Sequence, residues 1–182
     1  PRLRGMFGKR ALGMANMYVS GRRHYFDAGA IVARAVADAQ SIDFDAFVMT
    51  GDLTAMSQDV EFAEAREAFG PLLEGVPSIV VPGNHDLYTR GARSAARMER
   101  FFGAWMAGGV WDDDRRTWAH GASLREGEGT PWPVCFRLGD TDFIATNPCR
   151  PTLRSTGYFG DEAIDRAASL VRASRAAGQQ VV

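Results

Sequence analysis

Blocks of different hydrophobic period follow one another along the chain. From Asp27 to Gln40 the apolar and small residues Ala28, Ile31, Val32, Ala35 and Val36 recur every three or four positions, the pattern of an amphipathic helix. Ala46-Phe47-Val48-Met49 is a short unbroken apolar run between Asp45 and Gly51, which predicts a strand buried on both faces of a mostly parallel sheet. A turn-rich stretch leads to Ser57, the expected N-cap, with Asp59 and Glu61 favourably placed at the start of a helix. That helix is expected to run to about Phe69 and to stop at Gly70-Pro71. Ser78-Ile79-Val80-Val81 repeats the buried-strand pattern and is closed by Pro82-Gly83. Helix, strand, helix, strand in that order is α/β architecture.

The second half is less regular. Ser94 to Trp105 predicts a helix with Ala96, Met98, Phe101 and Phe102 on its inner face. Gly108 to Trp132 is rich in Gly, Asp and Arg and lacks a period, so it is expected to be a long irregular excursion. Its tryptophans, Trp111, Trp118 and Trp132, are read as packing locally, with a specificity pocket as the alternative. Val134–Leu138 and Asp142–Ala145 flank Gly139-Asp140-Thr141 and predict a hairpin. A last helix is expected from Gly160-Asp161 to about Ala177, with Ile164, Ala168, Leu170 and Val171 inward.

Length adds that one domain, residues 1–182, is expected, because a chain of this size buries roughly 70% of its unfolded surface. The net charge of −1 gives no global field for nucleic acid or an anionic membrane. Arg2, Arg4, Lys9, Arg10, Arg22 and Arg23 form a basic opening segment without an acid. We read it as solvated surface, the alternative being contact with an anionic substrate or lipid head group. Cys135 and Cys149 are too widely spaced for a zinc pair and are read as buried or half-buried thiols. No stretch approaches the roughly 18 apolar residues needed to cross a bilayer, and no signal peptide is seen, so a cytoplasmic location is expected. The start at Pro1 and the apolar end at Val181-Val182 suggest a piece cut at both ends.

Two loops directly follow the predicted strands: Gly51-Asp52-Leu53-Thr54 and Gly83-Asn84-His85-Asp86. In open α/β sheets ligand-binding groups collect at the carboxyl ends of strands. Asp52 places there a carboxylate able to bridge two divalent ions, Asn84 adds a neutral oxygen, and the glycines allow sharp turns and close backbone approach. His85, adjoining Asn84 but directed elsewhere, is the candidate proton donor to a departing alkoxide. Either loop alone is commonly just a turn; the pair, with one helix between, is more informative.

Taken together the two loops resemble the middle of the pattern of the calcineurin-like metallophosphoesterase family: Asp-x-His, then Gly-Asp, then Gly-Asn-His-Asp/Glu, then a lone His, then Gly-His-x-His. The resemblance implies a four-layered α/β sandwich, incomplete here at both ends, two divalent metal ions (Mn, Fe or Zn), and a phosphate-ester substrate. The implied chemistry is hydrolysis of a phosphomonoester or phosphodiester by a metal-bound hydroxide. By this resemblance Asp52 is the bridging ligand, Asn84 a ligand of the second metal, His85 the catalytic histidine and Asp86 a structural member. The first block and both later histidine blocks have no counterpart in these residues, so the piece is expected to be inactive alone. His24 and His120 are read as surface residues. Many members carry an acid three positions after the bridging Asp to orient the histidine; this chain has Ala55, leaving Thr54 and Asp86 as candidates. The competing reading is a non-catalytic interaction scaffold on the same fold.

Overall fold

The computed structural model describes residues 9–19, 27–119, 131–151 and 156–182. His24, His120 and the basic residues Arg2, Arg4, Arg22 and Arg23 lie outside them. Helix α1 (Lys9–Val19) and helix α2 (Ala28–Gln40) come first. Asp27 caps α2, its side chain accepting from the Ala30 amide at 3.1 Å, so the helix starts where the periodicity begins. Strand β1 (Phe47–Met49), helix α3 (Asp59–Gly75) and strand β2 (Ser78–Val80) follow. Two short helices, α4 (Arg90–Ser94) and α5 (Arg97–Phe102), precede strands β3 (Gly109–Asp112), β4 (Thr117–Ala119), β5 (Val134–Leu138) and β6 (Thr141–Ala145). Helix α6 (Asp161–Ala176) and strand β7 (Gln180–Val181) complete the order.

β1 and β2 pair in parallel, Met49 opposite Val80, and the other five strands form a mixed sheet in the order β4-β3-β5-β6-β7. On one face of the parallel pair, Met49 and Val80 pack with Phe62, Ala65 and Leu73 of α3 and with Met98 and Phe102 of α5. On the other face Ile79 meets Trp118, Val134 and Phe136 of the larger sheet, and the Trp118 indole donates to the Ser78 carbonyl at 2.7 Å. Helix α6 covers the far side of that sheet, against β6 and β7. The described residues therefore stack as helix, sheet, sheet, helix, the α/β sandwich expected. As predicted, β5 and β6 form a hairpin, closed by Gly139 at φ +57° and Asp140. Strand β6 begins at Thr141, one residue before the predicted start.

Several expectations are corrected. Helix α3 does not stop at Gly70-Pro71 but runs through Pro71 to Gly75. An interior proline costs about 3 kcal/mol, and the two leucines beyond it, Leu72 and Leu73, are both buried and recover roughly 1.5–3 kcal/mol each. The N-cap is Gln58; Ser57, at φ +53° and fully buried, serves the loop instead. The helix predicted over Ser94–Trp105 is broken at Ala96, φ +43°, which resets its direction so that Met98 and Phe102 enter the core while Arg97 reaches the Ser57 carbonyl at 2.9 Å. Part of the supposed irregular excursion is an antiparallel hairpin, β3 with β4, pairing Trp111 with Trp118; residues 120–130 lie outside the described set. Trp118 and Trp111 pack edge to face, the local packing expected of them. Val48 is 45% exposed, so β1 is not buried on both faces, and Ile164 points outward at 47%.

A cross-strand ion pair joins β5 to β6, and its buried carboxylate also meets Ser174 of α6. Asp142, with no exposed surface, accepts from Nε and Nη2 of Arg137, both at 2.7 Å. The guanidinium, helped by the side chains of Ser174 and Cys135, holds its carboxyl below the usual carboxylate range despite burial. A carboxyl depressed in the folded state contributes stability that is present above its unfolded value, about 3.9, and that is lost as pH falls through the folded value. Asp142→Asn is therefore expected to lower unfolding free energy at pH 7 by about 1.5–3 kcal/mol. In urea titrations the gap between variant and wild type should close below about pH 4; a gap constant down to pH 2 contradicts the assignment.

Candidate metal-facing site

The site lies where the parallel strands β1 and β2 deliver their carboxyl ends side by side. The Val81 amide donates to the Met49 carbonyl at 2.9 Å, carrying the pairing one step past β2. Beyond it the two chains meet backbone to backbone. A Cβ on Gly51, which sits at φ +91°, would lie 2.6 Å from the Gly83 Cα; one on Gly83 would lie 2.7 Å from Asp52 Cγ. Only hydrogen fits at either place. Asp52 itself is left-handed at φ +57°, a conformation Asp tolerates better than most side chains. That turn lays its carboxylate across the second loop, where Oδ1 accepts from the His85 amide at 3.0 Å.

Asp86 locks the second loop from below. It is 1% exposed, and its Oδ2 accepts from the Gly83 amide at 2.9 Å while Oδ1 accepts from the Thr54 amide at 3.0 Å and the Thr54 hydroxyl at 3.2 Å. Burial pushes its carboxyl above the usual carboxylate range, the bonds from Gly83 and Thr54 oppose this, and nearby Asp52 adds to the rise. Ser57 bridges in the same way, its hydroxyl donating to the His85 carbonyl at 2.7 Å and accepting from the Tyr88 amide at 2.8 Å. Asp86 is thus structural, as the resemblance implied.

The imidazole of His85 is oriented by a group no side-chain pattern could reveal. Its Nδ1 lies 2.9 Å from the carbonyl oxygen of Ala55. A carbonyl only accepts, so Nδ1 carries the proton and Nε2 is left for chemistry. Neither Thr54 nor Asp86, the candidates from sequence, supplies that contact; both act on the backbone of the loop. The Ala55 carbonyl is in turn held by Glu61, whose carboxylate accepts from the amides of Ala55 (3.3 Å), Met56 (3.1 Å) and Gln58 (2.9 Å). Tyr88 stacks on the ring, centroids 5.5 Å apart and 13° from parallel. Glu61 looked from sequence like a helix-start acid only; its reach back to the N-cap, the Gln58–Glu61 capping box, was the available signal.

Asp52 and Asn84 fit divalent ions as partial contributors. Asp52 is exposed with one carboxylate oxygen engaged by His85, and Asn84, half-buried on the turn after β2, forms no side-chain hydrogen bond to a described residue. Hard cations take such oxygens, but a complete set needs about four to six ligands. Among the described residues no three His, Cys, Asp or Glu side chains cluster as a full set. Cys149, on the loop after β6, also comes to this end, its Sγ 3.5 Å from the Pro82 carbonyl. Sequence reading missed it, although its loop follows an apolar strand just as the other two do.

Comparison with protein families now bears on this arrangement. The model of the calcineurin-like phosphoesterases matches residues 23–162, which include both glycine-led loops and the Cys149 loop. The chain belongs to the calcineurin-like phosphoesterase family. Members of that family are metal-dependent phosphoester hydrolases, and the strand-end position of both loops agrees with it. Comparison with curated proteins gives no match.

The glycine contact is open to a direct test. Gly51→Ala is expected to lower the melting temperature by several degrees, since left-handed strain of about 1 kcal/mol is joined by collision with the Gly83 backbone. Gly139→Ala, also left-handed but with nothing within 4 Å of its added methyl, should show the strain alone. Calorimetry returning equal losses for the two would contradict the backbone contact.

Proposed function

We propose that this calcineurin-like phosphoesterase chain supplies one side of a binuclear centre that hydrolyses a phosphomonoester or phosphodiester. Asp52 is the bridging ligand, Asn84 a ligand of the second ion, and His85 the catalytic acid. The observation that supports the reading is the anchoring of His85: its Nδ1 is held by the Ala55 carbonyl and its main-chain amide by the Asp52 carboxylate, so the ring is fixed beside the Asp52 loop with Nε2 left over. Mn, Fe or Zn ions, when bound, would neutralise charge on the phosphoryl oxygens and make water a competent nucleophile.

The chain's own residues position and move the proton. In the imidazolium form Nε2–H faces the departing oxygen and gives up its proton as the P–O bond breaks, while the Nδ1 contact fixes the plane of the ring. Stacking on Tyr88 limits rotation about the remaining side-chain torsion. The scaffold alternative drew its support from Ala55, and a main-chain carbonyl at that position holds the imidazole as an acidic side chain would. Strain points the same way: left-handed Asp52 and Ser57 each cost of order 1–3 kcal/mol, and such residues cluster at active sites.

With full-length protein, Asp52→Ala is expected to abolish both retention of Mn²⁺, read by elemental analysis, and release of p-nitrophenol from its phosphate ester. His85→Ala should retain the metal and lose about 10²–10⁴-fold in turnover, the larger loss falling on alkyl esters whose leaving group needs the proton. Normal turnover by Asp52→Ala, or equal losses for aryl and alkyl esters with His85→Ala, contradicts these roles.

A further inference from the structure

Beside the two glycine-led loops lies an open cavity of about 400 Å³ between Trp132, residues 147–150 and 158–160, and the first turn of α6. That size falls within the range of small-molecule sites. Its wall is continuous with the metal-facing loops, because Cys149 lines it and also touches the Pro82 carbonyl, one residue before Gly83. Burial, with the nearby carboxylates of Asp52 and Asp86, pushes the Cys149 thiol up, which agrees with that proximity.

The lining specifies a ligand class. Arg150 lays its guanidinium over the Tyr158 ring, 3.7 Å from the centroid, a planar stack that can extend to a further flat group. Trp132 contributes a second aromatic surface. Asn147 accepts from the Cys149 amide through Oδ1 at 3.0 Å, which leaves its NH₂ to donate to a ligand acceptor. Charge then decides between a polyanion and a ring. Arg93 and Arg150 share the cavity with Asp161 and Glu162, so the cations are matched and an extra phosphate gains little, whereas a neutral planar ring gains stacking and an edge contact.

We propose that this cavity is a nucleobase subsite, so that the phosphate ester turned over at Asp52 and Asn84 is that of a nucleotide, its ring stacked between Trp132 and Arg150 and its edge read by Asn147. The hydrolytic half rests on the proposed function; binding of the ring does not.

The test separates the two. Tryptophan emission of the Mn²⁺-loaded full-length protein is followed on addition of adenosine and of ribose, neither of which can be hydrolysed, and phosphate release is then compared for adenosine 5′-monophosphate and ribose 5-phosphate. Adenosine is expected to bind saturably and ribose not. The adenylate should be preferred in kcat/KM by about tenfold or more, the size of one base stack, through KM. Arg150→Ala and Tyr158→Ala, both at exposed positions, should erase that preference while leaving ribose 5-phosphate turnover unchanged. Equal binding of adenosine and ribose, or a preference untouched by either variant, overturns the subsite. Saturable adenosine binding without phosphate release from any ester upholds the subsite and overturns the hydrolytic reading.

Discussion

Everything at this end of the molecule depends on the absence of two Cβ atoms. Gly51 and Gly83 let the chains leaving β1 and β2 touch main chain to main chain, closer than any other residue pair permits. From that contact Asp52 reaches the His85 amide, Asp86 reaches back to Gly83 and Thr54, and Ser57 closes over the His85 carbonyl. Were the loops separated by the width of a methyl group, the bonds that cross between them would lengthen beyond useful range, since a hydrogen bond is largely lost by 3.6 Å. The parallel pairing of only three residues per strand is too short to fix such a geometry alone. Rigidity at the site comes instead from side chains that bond to backbone, and Asp86 is the central one.

That dependence explains a burial that is otherwise costly. Removing a carboxylate from water carries a penalty that three hydrogen bonds oppose, and the net effect is a carboxyl displaced upward. The loop after β1 adds two non-glycine residues in left-handed conformations, Asp52 and Ser57. The larger sheet and the apolar core beneath α3 and α5 hold the scaffold against which this local cost is set. Stability and site are therefore spatially divided: the apolar contacts of Met49, Val80, Phe62 and Phe102 lie below the strands, and the polar strain lies above their carboxyl ends.

Much of this was legible in the amino-acid order, and the failures have physical causes. Long periodic segments declared themselves: α2 begins at the residue after its Asp27 cap, and β2 is buried at every position. The glycine-led loops were recognisable because turn chemistry and chemical function use the same residue types there. Pro71 misled because local propensity argued for a stop while burial of Leu72 and Leu73 lay in tertiary structure. The hairpin of Trp111 and Trp118 was hidden by its shortness, each strand offering too few residues for a period. The Ala55 carbonyl was invisible in principle, because every residue has one and only the fold says where it points.

Position 55 also shows why a motif departure need not be a loss of chemistry. What an imidazole needs at Nδ1 is an acceptor at hydrogen-bond distance in the plane of the ring, and a carbonyl satisfies that requirement as a carboxylate does. The two differ in charge: a carboxylate stabilises the imidazolium by full ion pairing, a carbonyl only by its dipole. Here the missing charge is not far away, since Glu61 binds the amides of Ala55, Met56 and Gln58 and thereby polarises the peptide chain that carries the acceptor. An acid placed one step behind the acceptor thus fixes the position of the ring through the main chain, by holding the peptide whose carbonyl meets Nδ1.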